Sequence, residues 1–270
     1  SLFARKIAPI QLSYLGYAGT SGSNYYDGLI ADEIAIPPEH EQFFTEKILH
    51  LPQSFFPLDT SIHPNEFGHL PTRQSQGLPD SGFIFSCFNN PFKFHPQIFQ
   101  IWMKILSKVP GSILWINKVS DVVAQNLRQY VNLCNIDPTR LVFAQYAPER
   151  IGHLSRLRLS NLFLDTPRFN AHTTAADSLW AGVPVLTKIG DTFAGRVAAS
   201  QLIAAGIPEM IVHSDNEYIE KAVEMASHPE LLDQIRTKLE KNRFTEPLFN
   251  TELYVQNLEK LYLSLASSLQ

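Results

Sequence analysis

The sequence predicts an α/β fold whose larger part is a doubly wound, Rossmann-like domain with a parallel sheet. Between residues 83 and 212, short apolar runs alternate with segments whose apolar residues recur at helical spacing. The apolar runs are nearly continuous, as in parallel strands that helices cover on both faces. Such an alternation is typical of right-handed βαβ crossovers. The content of 44% hydrophobic and 18% charged residues is that of a globular protein rather than a disordered chain.

A smaller piece precedes this domain. Its strand-like runs are expected at residues 10–15, 28–31 and 47–51. A helix is expected over residues 38–45, because a proline opens it. This piece is too small to enclose a core alone, so residues 1–56 are predicted to be the last part of a second Rossmann-like lobe. Residues 57–82 are rich in Pro, Gly, Ser and Asn, which predicts a linker or a long surface loop.

The main domain is predicted to cover residues 83–247. Its strands are expected at residues 83–88, 112–116, 141–146, 161–166, 183–187 and 209–212. Its helices are expected at residues 95–109, 121–134, 151–159, 173–181 and 196–205, with further helices over 216–242. Residues 248–270 are predicted to form a C-terminal helix that ends near Ser267 and packs on a surface larger than its immediate neighbours.

Charge and cysteine content limit the possible partners and compartments. The net charge of −4 implies no broad basic surface, so nucleic acid is not expected as a partner. Cys87 and Cys134 lie far apart in apolar stretches, which indicates buried thiols in a reducing compartment. The first residues are too polar for a membrane span and lack a signal-peptide core, so we expect a cytoplasmic protein without a membrane partner. The sequence contains no metal-binding signature and leaves the oligomeric state open.

The segment after the strand at 161–166 is a candidate phosphate site. A helix is expected to begin near His172, and its first turn offers free backbone N–H groups and the hydroxyls of Thr173 and Thr174. Asp177 lies one turn further on the same face, where a carboxylate can accept hydrogen bonds from ribose hydroxyls. The alternative for these residues alone is an ordinary helix cap.

Three further elements follow strand ends and are therefore candidates for the same ligand. Lys93, behind Asn90, stands after the first strand of the main domain and can reach a phosphate. His153 and Arg156 share one helical face, where they could flank a base or a diphosphate. A glycine-rich loop from Gly16 onwards could line a cleft. Taken singly, each has a plainer alternative, namely a solvated lysine, a surface histidine and a tight turn.

Arg196 is a fourth such position. A cation at a helix start opposes the helix dipole, so Arg196 is expected to have an anionic partner, either Asp191 or the ligand.

Five segments together resemble the catalytic region of the O-linked N-acetylglucosamine transferases, including the SPINDLY proteins. They are APIQLSYLGYAGTSG, FNNPFKF, LFLDTPRFNAHTTAADSLWAGVPVLT, GDTFAGRVAASQL and PLFNTELYVQNLEKLY. The resemblance runs in order through nearly the whole chain and is most specific around residues 172–184. It implies a GT-B-type fold, in which two Rossmann-like lobes enclose the active site.

The resemblance also implies an activity and a set of roles. The family transfers N-acetylglucosamine from UDP-N-acetylglucosamine to Ser or Thr hydroxyls of proteins, inverting the anomeric carbon, with no metal ion and no cofactor besides the donor. By matching positions, the diphosphate would be held by His172, Thr173 and Thr174, the ribose by Asp177, and the leaving UDP by the catalytic Lys93. The remaining matched positions are Asn90, where the family usually has glutamine, His153 and Arg156 at the uracil side, and Leu15 and Gly16 near the sugar.

Other readings remain open at this point. The donor could be GDP-fucose or UDP-glucose, as in relatives of this family. The family lysine after the Ala-Pro pair is replaced by Glu149 and Arg150, with one extra residue before His153. The family's active-site histidines and tetratricopeptide repeats would precede residue 1, so a longer parent is expected to be the enzyme. The chain alone could be a non-catalytic fragment that binds nucleotide sugars.

Overall fold

The computed structural model describes residues 2–267 and contains two parallel sheets. The small sheet has the order β1-β2-β3 and consists of β1 (Leu12–Ser13), β2 (Gly28–Ala31) and β3 (Lys47–His50). The large sheet consists of β4 (Ile84–Cys87), β5 (Ile113–Asn117), β6 (Leu141–Ala144), β7 (Leu162–Leu164), β8 (Val185–Lys188) and β9 (Ile211–Val212). All strand pairs in both sheets are parallel, as the apolar runs predict.

The order of the large sheet is β6-β5-β4-β7-β8-β9. This is the Rossmann order, in which the chain winds outwards first on one side of β4 and then on the other. The order therefore reverses between β4 and β7. Ligands of such sheets bind at this switch point, outside the carboxyl ends of the strands.

Eight α-helices surround the sheets within residues 2–267. They are α1 (Pro96–Lys108), α2 (Asp121–Leu133), α3 (Arg150–Leu157), α4 (Thr173–Trp180), α5 (Val197–Ala204), α6 (Asp215–Ser227), α7 (Pro229–Asn242) and α8 (Thr251–Ser267). Their starts have local causes: Ser214 caps α6, and proline occupies the first position of α1 and α7. None of these helices combines the length and the apolar character that a membrane crossing requires.

The core lies between the large sheet and its helices. The apolar face of α1 includes Ile98, Trp102 and Ile105, which are spaced one turn apart and fully buried. Trp115 of β5 and Phe85 of β4 are also fully buried. Because the central strands are covered on both faces, their carboxyl ends are held rigidly, which fixes the positions of the residues that follow them.

The C-terminal helix α8 packs on the small sheet rather than on the large one. Its Tyr254 and Leu258 contact a cluster formed by Ile30, Leu49 and Leu51. The hydroxyl groups of Tyr14 and Tyr254 hydrogen-bond to each other beside the Phe55 carbonyl. The sequence predicts that this helix packs on a surface larger than its immediate neighbours. The helix begins at Thr251 instead of residue 248, after a 3-10 helix at Pro247–Phe249, and positions 268–270 of the predicted segment lie outside the described residues.

Polar side chains join the small sheet to α5. The buried Asp32 accepts hydrogen bonds from Ser200 Oγ at 2.6 Å and from the amide of Phe55 at 2.9 Å. Burial raises the pKa of Asp32, although these donors oppose the rise. Arg196 donates to the carbonyl oxygens of Ile34 and Gly190 at 2.8 and 3.0 Å.

The structure tests one of the two partners expected for Arg196, namely Asp191, and the other, the ligand, stays a prediction. Asp191 forms no ion pair with it, and no carboxylate within residues 2–267 lies within 4 Å of its guanidinium. The side chain instead bridges the Ile34 carbonyl beside the small sheet and the Gly190 carbonyl after β8, while the carboxylates of Glu39, Asp191 and Asp32 act on it from further away.

Two other expectations differ in detail from the structure. Residues 38–45 were expected to be a helix, but the chain forms a 3-10 helix over Pro38–Phe43. Residues 57–82 carry two further 3-10 helices, Pro64–Glu66 and Gln74–Gln76, and bury Phe67 in the main core. This connection is thus packed against the domain, and the domain boundaries drawn on either side of it stay predictions.

Candidate functional site

The switch point between β4 and β7 brings together the residues that the sequence places after these strands. Lys93 follows β4, and His172, Thr173, Thr174 and Asp177 form the start of α4 after β7. We refer to these five residues as the switch-point cluster. The large sheet thus explains why segments 80 residues apart in sequence meet at one edge.

Lys93 ends a one-turn 3-10 helix, Pro91–Lys93, that leaves β4. The side chain of Asn90 caps this turn by accepting the Phe92 amide at 3.3 Å. The Lys93 ammonium donates to the Asn170 carbonyl at 2.7 Å and lies 4.4 Å from the ring centroid of Phe169. Burial lowers the pKa of Lys93, while the carboxylate of Asp165 opposes that change.

The start of α4 is open towards Lys93. No side chain caps this helix, so its first amide N–H groups are available to a ligand. The ring of His172 stacks on Phe169 at 5.0 Å, and its Nε2 atom is buried without a hydrogen-bond partner among the described residues. Burial and the nearby Lys93 lower the pKa of His172 to about 4, so the imidazole is neutral at pH 7.

A buried polar network supports this helix start. Asn89 accepts the Thr174 hydroxyl at 2.5 Å and donates to Thr166 Oγ1 at 2.7 Å and to Asp165 Oδ1 at 3.3 Å. Asp165 also accepts the amide of Ala171 at 2.6 Å. Burial raises the pKa of Asp165 to about 6, although its hydrogen bonds lower it. The network fixes the turn that carries His172 and Thr174.

Sequence reasoning did not identify Asn89 and Asp165 as part of the site. The available signal was position, because each is the first strongly polar residue after a buried strand. Asn90, which the sequence placed in the site, is exposed and contacts only the local turn through its side chain. Its role at a ligand stays a prediction.

Asp177 is engaged by an arginine. Arg150 Nη2 lies 2.9 Å from Asp177 Oδ1, and Arg150 Nη1 lies 2.8 Å from Asp59 Oδ2. Burial raises the pKa of Asp177, and the Arg150 guanidinium opposes this rise. Arg150 therefore links α3, α4 and the connection between the sheets, which makes the Asp177 carboxylate a fixed acceptor.

His153 and Arg156 lie together on α3, as their spacing predicts. Arg156 Nη2 is 3.1 Å from His153 Nδ1, and the guanidinium lies 4.9 Å from the ring centroid of Phe88. Desolvation lowers the pKa of His153 to about 4, with further contributions from Arg156 and Arg150. Because Phe88 directly precedes Asn89, this pair borders the switch-point cluster on its β4 side.

The glycine-rich loop after β1 lies on the other lobe. Leu15 adopts a left-handed φ of 62°, and the amide of Gly16 donates to the Tyr14 carbonyl at 2.7 Å. Within the described residues, neither makes a hydrogen bond or ring contact to the switch-point cluster. Further along, the buried Glu46 holds this loop by accepting Thr20 Oγ1 at 2.6 Å and the Ser21 amide at 2.7 Å.

The arrangement is chemically suited to a diphosphate ester. Free amides at a helix start and a fixed ammonium attract phosphate oxygens, while a desolvated carboxylate one turn away accepts hydroxyl groups. Among residues 2–267, no group of three or more His, Cys, Asp and Glu side chains is arranged to hold a metal ion.

Comparison with known proteins gives a consistent result. The model of glycosyl transferase family 41 matches residues 1–72 and 61–258. The probable UDP-N-acetylglucosamine–peptide N-acetylglucosaminyltransferase SEC of Arabidopsis thaliana is 39% identical over 268 residues, covering 97% of this chain and 27% of that protein. The corresponding SPINDLY protein of Petunia hybrida is 30% identical over 267 residues, covering 98% of this chain and 28% of its own. The chain thus spans about a quarter of the length of these relatives.

Solved structures agree with the expected fold. A mutant of the O-GlcNAc transferase of Thermobaculum terrenum superposes with a TM-score of 0.86 at 26% identity, covering 96% of this chain and 49% of that one. WaaG, a glycosyltransferase involved in lipopolysaccharide biosynthesis, superposes with a TM-score of 0.58 at 14% identity, covering 91% of this chain and 64% of that one, which bears on the fold alone. The predicted GT-B-type α/β fold is confirmed.

Proposed function

The chain belongs to glycosyl transferase family 41, and from this membership we propose that it is part of an enzyme that transfers N-acetylglucosamine from UDP-N-acetylglucosamine to Ser or Thr hydroxyls of proteins. We propose inversion at the anomeric carbon, no metal ion and no cofactor besides the donor. The observation that carries the proposal is the position of the Lys93 ammonium, which the Asn170 carbonyl and the Phe169 ring hold at the uncapped start of α4.

The diphosphate of the donor would lie at this helix start. The first amides of α4 and the hydroxyls of Thr173 and Thr174 would donate to its oxygens, at the positive end of the helix dipole. Thr173 is exposed and free to do so, whereas Thr174 would have to share its hydroxyl with Asn89. The unpartnered Nε2 of His172 offers a further contact.

The nucleoside would extend towards α3. Asp177, held by Arg150, would accept the ribose hydroxyls, and His153 and Arg156 would border the uracil. Asn90 would meet the donor from the β4 side. Leu15 and Gly16, on the other lobe, would approach the sugar across the cleft.

Catalysis would consist mainly of charge stabilisation. As the glycosidic bond breaks, negative charge grows on the β-phosphate of the leaving UDP. Lys93 and the α4 amides are already oriented and partly desolvated, so they stabilise that charge without reorganisation. Holding the acceptor hydroxyl in line with the breaking bond would supply much of the rest.

The same proposal covers partners and location. A protein or peptide acceptor is supported by the names of the relatives, which are peptide N-acetylglucosaminyltransferases. We propose a cytoplasmic protein that acts on neither nucleic acid nor membranes.

Nucleotide preference tests the proposal directly. The melting temperature of the chain would be measured with UDP, GDP and their sugars at equal concentrations, since a ligand that binds the folded state more tightly raises it further. We expect UDP and UDP-N-acetylglucosamine to give the larger rise, and Lys93→Ala to reduce it while Lys104→Ala does not. A larger rise with GDP would transfer the proposal to a GDP-sugar donor.

Turnover separates an enzyme from a binding fragment. The chain and a longer protein containing it would be incubated with UDP-N-acetylglucosamine and an acceptor peptide, and sugar transfer would be followed by mass spectrometry. We expect the longer protein to transfer the sugar, and we expect Lys93→Ala to abolish that transfer. Nucleotide binding without transfer in both proteins would leave only a binding function.

A further inference from the structure

A second polar cavity lies at the opposite edge of the large sheet. It has a volume of about 320 Å³ and is lined by Arg158, Ser160, Arg236 and Arg243, with Glu240 at its side. Ser160 stands just before β7, so the cavity lies at the amino ends of the strands. The switch-point cluster lies at the carboxyl ends. The two sites are therefore separated by the length of the sheet.

Among the described residues, the three arginines of this cavity have no carboxylate within ion-pair distance, although Asp233 and Glu240 act on Arg236 from further away. Arg236 Nη2 donates to the Ser160 carbonyl at 3.0 Å, and Arg243 Nη1 donates to the Trp180 carbonyl at 2.9 Å. These bonds orient the guanidinium groups but leave most of their N–H donors unused. The Arg158 side chain makes no hydrogen bond with a described residue, and none of the three forms an ion pair within residues 2–267. Three guanidinium groups against the two carboxylates that act on them, Glu240 and Asp233, leave an excess of positive charge.

Two buried polar atoms beside these charges lack partners. Ser160 is only 1% exposed, and its Oγ atom has no hydrogen bond within the described residues. The Nε atom of Arg243 is likewise buried and unpaired. Buried polar groups are normally hydrogen-bonded, so two unpaired ones at one cavity indicate that a polar ligand completes the site.

We propose that this cavity binds a phosphate monoester dianion, either inorganic phosphate or the phosphate group of a small metabolite. The excess of positive charge attracts an anion, and the three guanidinium forks suit the geometry of phosphate oxygens. The Ser160 hydroxyl and Arg243 Nε supply two further hydrogen bonds. The cavity is larger than one phosphate group, which leaves room for a small carrier. Because the two sites are separate, this anion and UDP bind at the same time.

The test is a calorimetric titration in which anions are added to the full chain in the presence of excess UDP. Inorganic phosphate and glycerol phosphate are the probes for the two sources, and acetate controls for a singly charged anion. We expect at least one phosphate probe to bind in the presence of UDP, and acetate to bind much more weakly. Tighter binding of glycerol phosphate would assign the site to a metabolite, and equal binding would assign it to inorganic phosphate. If UDP itself does not bind, the titration with phosphate still tests this cavity. Failure of the proposed function can therefore be told apart from failure of the phosphate proposal.

Two variants and a matched control locate the binding. The Arg158 side chain makes no hydrogen bond or ion pair with a described residue and Ser160 Oγ has no partner, so Arg158→Ala and Ser160→Ala should fold normally. We expect each to weaken phosphate binding about tenfold. Lys104→Ala removes a charge from the exposed side of α1 and should bind phosphate as the wild type does.

Stability in phosphate-free buffer gives an independent readout. Ser160→Ala should leave the melting temperature unchanged or raise it, because it removes a buried hydroxyl without a partner. A lower melting temperature would show that the hydroxyl is already satisfied and would overturn the proposal. Absence of phosphate binding, binding by both variants as tight as that of the wild type, or displacement of phosphate by UDP would also overturn it.

Discussion

The ammonium of Lys93 and the carbonyl of Asn170 lie 2.7 Å apart and join the end of β4 to the turn before α4. The two residues are 77 positions apart in sequence. Because this bond is internal to the protein, the charge of Lys93 is already aimed at the helix start in the absence of a ligand.

Replacement of Lys93 tests its role as the phosphate contact. Lys93→Ala should weaken UDP binding roughly 10- to 100-fold, since a charge-assisted hydrogen bond is lost. The dissociation constant would be measured by calorimetry, with Lys104→Ala as the charge-matched control. Unchanged affinity in Lys93→Ala would place the diphosphate elsewhere.

The pH dependence of UDP binding should reveal the titration of Lys93. Burial lowers the pKa of Lys93, so its charge is lost at a lower pH than that of an ordinary lysine. UDP affinity should therefore fall as the pH rises through this lowered pKa. Lys93→Arg keeps its charge at alkaline pH, so its affinity should show no such fall. A parallel fall in both proteins would rule out Lys93 as the titrating group.

Asn89 and Asn90 form a matched pair for testing the buried network. Asn89→Ala removes three side-chain hydrogen bonds and leaves Asp165 and Thr174 short of a partner, which should cost about 2–4 kcal/mol of unfolding free energy. Asn90→Ala removes one exposed cap and should cost about 1 kcal/mol or less. Urea unfolding of both variants measures the difference, and equal losses would contradict the assignment.

Loss of the Arg150 side chain should lower the free energy of unfolding more at neutral pH than in acid. Arg150→Ala leaves the buried Asp177 carboxylate without its counter-charge, which raises the pKa of Asp177 further. When the pKa of a carboxyl is higher in the folded than in the unfolded state, its contribution to stability is present below the unfolded-state pKa. That contribution is lost as the pH rises through the folded-state pKa. The destabilisation of Arg150→Ala should thus grow between pH 4 and pH 7 in urea titrations. A constant difference across that range would show that the ion pair contributes nothing there.

Glu46 should give the glycine-rich loop an acid-sensitive attachment. Burial raises the pKa of Glu46, but hydrogen bonds from Ser21 and Thr20 outweigh it and bring the value to about 2. A lowered pKa means stability that is present above pH 4.5 and lost as the pH falls towards 2. Glu46→Gln should flatten this acid loss in unfolding curves recorded at successive pH values. If Glu46→Gln lost stability in acid as the wild type does, the assigned role of Glu46 would be contradicted.

Much of the large domain was predictable from local patterns. The strands β4 to β9 fall within two residues of the apolar runs, because a strand buried on both faces requires such a run. The start of α4 was predictable as well, since Thr173, Thr174 and Asp177 are close in sequence. At the edge of the small sheet, β1 has only the residues Leu12–Ser13, because a strand paired on one side needs fewer apolar residues.

Contacts between distant residues could not be predicted. Arg150 meets Asp59 and Asp177 at sequence separations of 91 and 27 residues, and no local pattern marks such a triad. From the sequence, Asn90 rather than Asn89 is predicted to be a site residue. Two adjacent asparagines cannot be distinguished by sequence, because only the sheet determines which side chain is buried. The contact between Arg196 and the Ile34 carbonyl could not be predicted either, because a backbone acceptor 162 residues away leaves no trace in the sequence.

The attachment of α8 to the small sheet has a mechanical consequence. The 3-10 helix Pro247–Phe249 buries Leu248 and Phe249 in the core of the large domain, while α8 itself follows the small sheet. Any rotation of one lobe against the other must therefore flex the chain at two crossings, one near residue 56 and one at Asn250. Two covalent connections restrict the relative movement of the lobes more than a single one would.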